Sequence, residues 1–253
     1  MVHEFIVACK ENDLNKIQQM IHMVDMNEGF RWACYHGYID VVKYLVPLGV
    51  DIHAREEEGF IQACKNGHID VVKYLVPLGV DIHAREEEGF IWACRSGYID
   101  VVQYLVQNTD IDVHARCDYG FMWACRNGHI DVVRYLVQNT DIDIHANNAE
   151  GFRWACYCGH SNVVRYLVPL GVDIHARDAE GFRWACENGH IDVVRYFVNF
   201  MQCVKYRKLN KISQFMSSRD TDYQWPIKYV INVGKYMNHL NNNFFYKFNQ
   251  IIY

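Results

Sequence analysis

Gly-Phe pairs begin at Gly29, Gly59, Gly89, Gly120, Gly151 and Gly181, at steps of 30, 30, 31, 31 and 30 residues. Ala-Cys pairs keep the same beat, from Ala33-Cys34 through Ala63-Cys64, Ala93-Cys94, Ala124-Cys125 and Ala155-Cys156 to Ala185-Cys186. The 23 residues Ile39–Ile61 recur unchanged as Ile69–Ile91, which reads as a duplication. A fixed period of this length is the mark of a repeat array, in which each unit is one small supersecondary element.

Each unit divides into two helical segments. In the first, from about Glu58 to Lys65, Phe60, Ala63 and Cys64 form an i, i+3, i+4 stripe, and Gly67 ends it as a glycine just past a helix does. In the second, from about Ile69 to Val76, Ile69, Val72, Leu75 and Val76 recur at helical spacing. Pro77, or Gln107-Asn108-Thr109 in its place, then leads into an Asp-Ile-His-Ala segment. Helices this short are marginal alone and persist by stacking on the next copy. The expected fold is therefore an all-α solenoid of stacked helix-turn-helix repeats. Residues 1–28 are expected to be an N-terminal capping repeat, 29–198 six repeats, and 199–253 an atypical C-terminal cap with a basic, aromatic tail.

Composition narrows the class. Of 253 residues, 51% are hydrophobic and 22% charged, which suits a chain with a packed core. No apolar run approaches the roughly 18 residues of a membrane span. Met1–Lys10 has neither the cationic start nor the long apolar stretch of a secretory signal. Ten Cys are too few for a small disulfide scaffold.

The run Ala-Cys-x-x-Gly-His-Ile-Asp-Val-Val-x-Tyr-Leu-Val, followed by Gly-Val-Asp-Ile-His-Ala, resembles the ankyrin repeat family over about residues 4–198. The wording and the short repeat look most like ankyrin arrays encoded by giant viruses of amoebae. The chain departs from the family in two ways. Glu28-Gly29-Phe30-Arg31 and its counterparts replace Thr-Pro-Leu-His, and the period is about three residues short of 33. The missing residues fall between His53 and Phe60, where the family carries a projecting β-hairpin. Arg55-Glu56-Glu57-Glu58 lacks the Asp-Gly turn signal. Stubby fingers or none are expected, with the first helix starting early and Asn148 and Asp178 as N-caps. The resemblance implies a non-enzymatic protein-interaction scaffold, contacting its partner through the concave first-helix face. The partner is expected to be a protein, of a host cell if the chain is viral. The chain itself is expected to be a monomer in a reducing, cytoplasmic compartment.

Several recurring positions carry candidate chemistry. Cys9, Cys34, Cys64, Cys94, Cys125, Cys156 and Cys186 share one position. Stacked helices place equivalent atoms about 8–10 Å apart, beyond disulfide reach, so these read as small buried residues. No Cys-x-x-Cys is present, and no metal or other cofactor is expected. The same spacing keeps His53, His83, His114, His145 and His175 from sharing an ion, so they read as loop braces, as do His68, His129, His160 and His190 in the Gly-His turns. The acidic Arg55–Glu58 and Arg85–Glu88 loops read mainly as solvated charge. Trp32, Trp92, Trp123, Trp154 and Trp184 form a row that Gln62 interrupts. The plainer reading is packing between repeats. The functional one is an aromatic binding stripe, with Arg31, Arg153 and Arg183 beside it in a row that varies between units.

After Val198 the repeat dissolves. Residues 199–253 hold eight Lys or Arg against two acids, so of the chain's net −5 the first 198 residues carry −11. Met201–Met216 could supply a capping helix. Trp225–Leu240 faintly resembles the F-box-like ends of poxvirus ankyrin proteins, which would make the chain a substrate-recruiting adaptor of a ubiquitin ligase. The basic tail admits a third reading, weak nucleic-acid contact. No catalytic motif is present, so no enzyme is expected.

Overall fold

The Gly-His and Gly-Tyr steps divide each unit because Gly is free to turn left-handed. Gly97 does so at φ +81°, and its N–H returns to the carbonyls of Ala93 and Cys94 to close the first helix. A computed structural model describes residues 2–21 and 25–200, and shows helix pairs along all of that length. The first pair is α1 (Val2–Lys10) and α2 (Leu14–Met20). There follow α3 (Met26–His36) with α4 (Ile39–Leu45), α5 (Ala54–Lys65) with α6 (Ile69–Leu75), and α7 (Ala84–Ser96) with α8 (Ile99–Asn108). The array continues with α9 (Ala115–Asn127) and α10 (Ile130–Asn139), then α11 (Ala146–Tyr157) and α12 (Ser161–Leu167). It ends in α13 (Ala176–Glu187) and α14, helical over 191–200. Among the described residues there is no strand, so no hairpin finger projects from the stack. The expected capping helix Met201–Met216, the F-box-like reading of Trp225–Leu240 and the basic tail all fall on residues outside the described ones.

One core runs through the units. Ala33, Cys34, Val41, Val42 and Leu45 are fully buried, and so are their counterparts in the following units through Ala155, Cys156, Val163, Val164 and Leu167. The Gly-Phe pair is what lets the first helices close up. Phe30 of one unit lies against Gly59 of the next, where an added Cβ would stand 2.6 Å from its ring. The same pairing recurs as Phe60 on Gly89, Phe90 on Gly120 and Phe121 on Gly151. First helices therefore pack closely on one another, while successive second helices touch at few points. A stack tighter on one side curves toward that side, which puts the first helices on the inner face.

The connectors come in two forms. Val46–Leu48, Val76–Leu78 and Val168–Leu170 make a 3-10 turn around a proline. Where Gln-Asn-Thr stands instead, the helix runs on to Asn108 or Asn139, and the Thr109 and Thr140 hydroxyls donate to the Leu105 and Leu136 carbonyls at 2.6 Å.

The segment that replaces the finger differs from expectation. Each of α5, α7, α9, α11 and α13 opens with three consecutive residues in the left-handed region. Arg55, Glu56 and Glu57 lie at φ +55°, +55° and +64°, and Asn147, Asn148 and Ala149 at +52°, +59° and +55°. The right-handed helix starts after them, at Glu58 and its counterparts. Asn148 and Asp178 are thus inside a left-handed turn and are not N-caps. Three such residues cost about 1–2 kcal/mol each. The next unit supplies the compensation. Arg85 donates from Nη2 to the Arg55 carbonyl (2.7 Å) and from Nε to Glu56 (3.1 Å), and Arg116 does the same to the Arg85 carbonyl (2.9 Å) and Glu86 (2.8 Å).

Candidate interaction surface

The tryptophans follow the Gly-Phe pair by two residues, on the inner face and half-buried. They do not stack on one another through the middle of the array; cations are interleaved between them. Lys65 Nζ lies 4.1 Å from the Trp92 ring centre and Arg95 4.5 Å. Arg95 is also 4.0 Å from Trp123, Arg126 is 4.6 Å from Trp123, and Arg126 is 4.1 Å from Trp154. Beyond Trp154 the row is mainly aromatic, with Trp184 at 5.8 Å and Tyr157 edge-on to both, and Arg153 lies 5.8 Å from the Trp184 ring centre. Upstream, Trp32 stacks on His36 at 5.6 Å. Gln62 fills the gap and donates to Glu58 (2.6 Å), a residue one turn back, as the indole N–H of Trp92 does to Glu88 (3.0 Å) and that of Trp154 to Glu150 (3.3 Å).

The row is thus packing and surface at once. Each cation over an indole contributes about 0.5–1 kcal/mol where exposed, more where desolvated. Lys65, Arg95 and Arg126 were not singled out by sequence reasoning. Their signal was there: each stands in the last turn of a first helix, three residues after the Trp or Gln, where Tyr35 and Tyr157 stand in other units.

The neighbouring row is placed otherwise than expected. Ile61, Ile91 and Met122 are 2%, 6% and 6% exposed, so this position points into the space between the first helix and the left-handed turn. Arg153 occupies the same space at 4% exposure. Its Nε donates to the Asn148 carbonyl (3.0 Å), its Nη2 to the Asn147 carbonyl (3.3 Å), and it pairs with Glu180. A guanidinium so enclosed braces the turn and is not available to a partner. Arg31 is half-buried and paired with Glu28, and Arg183 keeps its Nε buried. At Ile61, Ile91, Met122 and Arg153 variation in this row is variation of interior packing.

The histidines brace, with partners that set their charge. His53 and His83 hold Glu57 and Glu87 through Nδ1 at 2.6 and 2.8 Å, and His114 holds Asp118 at 2.6 Å. The carboxylate hydrogen bond raises the pKa of all three. In the Gly-His turns, Nε2 of His68, His129, His160 and His190 meets the carbonyl of Tyr35, Arg95, Arg126 and Tyr157 in the preceding unit, at 2.6–2.9 Å. Among the described residues no three metal-ligating side chains come together. Burial pushes the Cys9 and Cys186 thiols up to about 12 and raises the rest of that row, so these sulfurs are neutral packing groups. The acidic loops are less solvated than expected: Glu57 and Glu87 are buried, and Glu56 and Glu86 are engaged by Arg85 and Arg116.

No curated protein gives a match to the chain. A family model for ankyrin repeats matches in three copies, over residues 5–86, 30–117 and 90–178. Those matches span most of the described array and agree with its helix pairs, so the chain belongs to the ankyrin repeat family.

Proposed function

We propose that this array holds a partner protein on its inner face, along the row from Gln62 to Trp184. Ankyrin repeats are in general modules for protein–protein contact and are generally non-enzymatic. The observation that carries the reading is the continuous, half-exposed stack of indoles and cations, since Trp, Tyr and Arg dominate the centres of protein interfaces. The contact set is Trp92, Trp123, Trp154 and Trp184 with Lys65, Arg95 and Arg126, and Trp32 at its upstream end. Arg153 supports the turn beneath it from inside.

The test is a pulldown from the native host cell with the full chain and with Trp92→Ala/Trp123→Ala. The variant is expected to keep its helical circular dichroism and lose the captured protein. Retention of that protein by the folded variant overturns the proposal.

A further inference from the structure

Cations on the loop edge of the array are matched by acids. On the loop edge Arg31 pairs with Glu28, Arg85 with Glu56 and Glu58, Arg116 with Glu86, and Arg153 with Glu180. On the outer helices Lys43, Lys73, Arg134 and Arg195 each follow an Asp by three residues, on adjoining positions of one helix face, and Lys43, Lys73, Arg134 and Arg165 lie more loosely over the next unit's tyrosines, at 6.0, 5.9, 5.2 and 5.5 Å. Lys65, Arg95 and Arg126 sit closer to their rings, at 4.0 to 4.6 Å, and have no acid within one turn on their own helices. Among the described residues none of them forms an ion pair with a carboxylate. The acids of their own helices lie two turns back, where Glu88 takes the Trp92 N–H and Arg85. Three half-exposed cations in line, each over an indole, have no carboxylate partner, although Arg126 also meets the Cys158 thiol.

Their spacing is set by the rings between them. Lys65 and Arg95 flank Trp92, and Arg95 and Arg126 flank Trp123, so neighbouring cations are at most about 9 Å apart. A polyproline II segment advances about 9 Å per turn of three residues. Resting on the surface assignment above, we propose that the stripe takes an extended acidic peptide with a carboxylate at every third residue, seated on Lys65, Arg95 and Arg126. A single-stranded nucleic acid fits less well. Stacking would need free indole faces, and the Trp92 and Trp123 rings each already carry two cations. The −11 carried by residues 1–198 also opposes a chain with a phosphate on every unit more than a peptide charged at one residue in three.

The experiment titrates the full chain against labelled peptides of about twelve residues, three to four polyproline turns long, and reads fluorescence anisotropy. The set is a Glu-Pro-Pro repeat, the same composition with its Glu residues clustered, a Lys-Pro-Pro repeat, and oligothymidylate. The triplet acidic peptide is expected to bind about tenfold more tightly than the clustered one, and to weaken as salt rises. Arg95→Gln/Arg126→Gln is expected to lose about tenfold. Arg95→Lys/Arg126→Lys is expected to stay near wild type, since Lys65 already serves this role at Trp92. Lys43→Glu/Lys73→Glu on the outer helices is expected to change nothing. Equal binding of both acidic peptides, tighter binding of the lysine peptide or of oligothymidylate, or loss of binding in the outer-helix variant would each overturn the proposal. The peptide series needs no variant to fold. If no acidic peptide binds while Trp92→Ala/Trp123→Ala still loses its captured protein, the acidic chemistry falls and the surface stands. If that protein is also retained, both fall.

Discussion

His114 sits between two carboxylates. Nδ1 meets Asp118 of its own unit at 2.6 Å, and Nε2 meets Asp141 of the next connector at 2.9 Å. Hydrogen bonding to Asp118 raises its pKa above the ordinary 6.5, with the Asp141 contact adding to it. The folded chain therefore holds this proton more tightly than the unfolded one. The resulting stability is complete below about 6.5 and fades as pH climbs through the raised folded value. Urea titrations of wild type and His114→Gln should show the larger stability gap near pH 5.5 and a smaller one near pH 8.5. A gap that grows with pH would mean the ring is held for its neutral form. His53 and His83 shift in the same direction through Glu57 and Glu87. Much of this scale was legible in the sequence. One residue type recurring in one position identifies a brace or a core site, because stacking keeps equivalent atoms too far apart for shared chemistry. Arg153 was not legible. Its surroundings are built by Asn147, Asn148 and Glu180, the last from the following unit, and only the fold brings them to it.

At the scale of the element, the left-handed opening of each first helix is the feature most in need of testing. Helix periodicity and the Gly-Phe beat located both helices of each unit, because burial of one face dictates that pattern. The left-handed turn had no such signal. Arg-Glu-Glu holds no residue that favours positive φ, and what holds the turn is the guanidinium of the next unit. Cys117 gives a clean probe, being exposed and at φ +60°. At such a position Gly relieves a penalty of about 1–2 kcal/mol and costs about 0.5–1 kcal/mol in chain entropy. Cys117→Gly should thus raise the urea midpoint slightly. In a right-handed helix the same change would lower stability by about 0.3 kcal/mol, so a lowered midpoint would remove the left-handed turn at this unit. Arg116→Ala should act oppositely, since it strips two hydrogen bonds from the turn one unit upstream.

The whole molecule is close to one-dimensional: each unit touches its neighbours, and stability is a sum of units and interfaces. The duplication makes this directly testable. Deleting residues 60–89 joins Gly59 to Phe90 inside two copies of the same Arg-Glu-Glu-Glu-Gly-Phe run, so the seam is native in sequence. Every contact across it has a precedent. Phe30 still meets Gly59. Tyr98, which now covers Gly67, moves onto Gly37, where His68 sat before. Arg116, whose brace is Arg85 and Glu86, finds Arg55 and Glu56 in identical positions. Trp32 becomes the neighbour of Trp92, and the interruption at Gln62 disappears. The shortened chain should fold cooperatively with undiminished helicity per residue. Its urea midpoint should be lower, and its m-value smaller by about one-seventh, the share of surface that one unit buries. Collapse to a non-cooperative state would show that stability resides in contacts beyond nearest neighbours. A folded product that also lost Lys65 as the first cation of the stripe would retain Arg95 and Arg126, so its affinity for an acidic peptide would measure how many cations in line the partner requires.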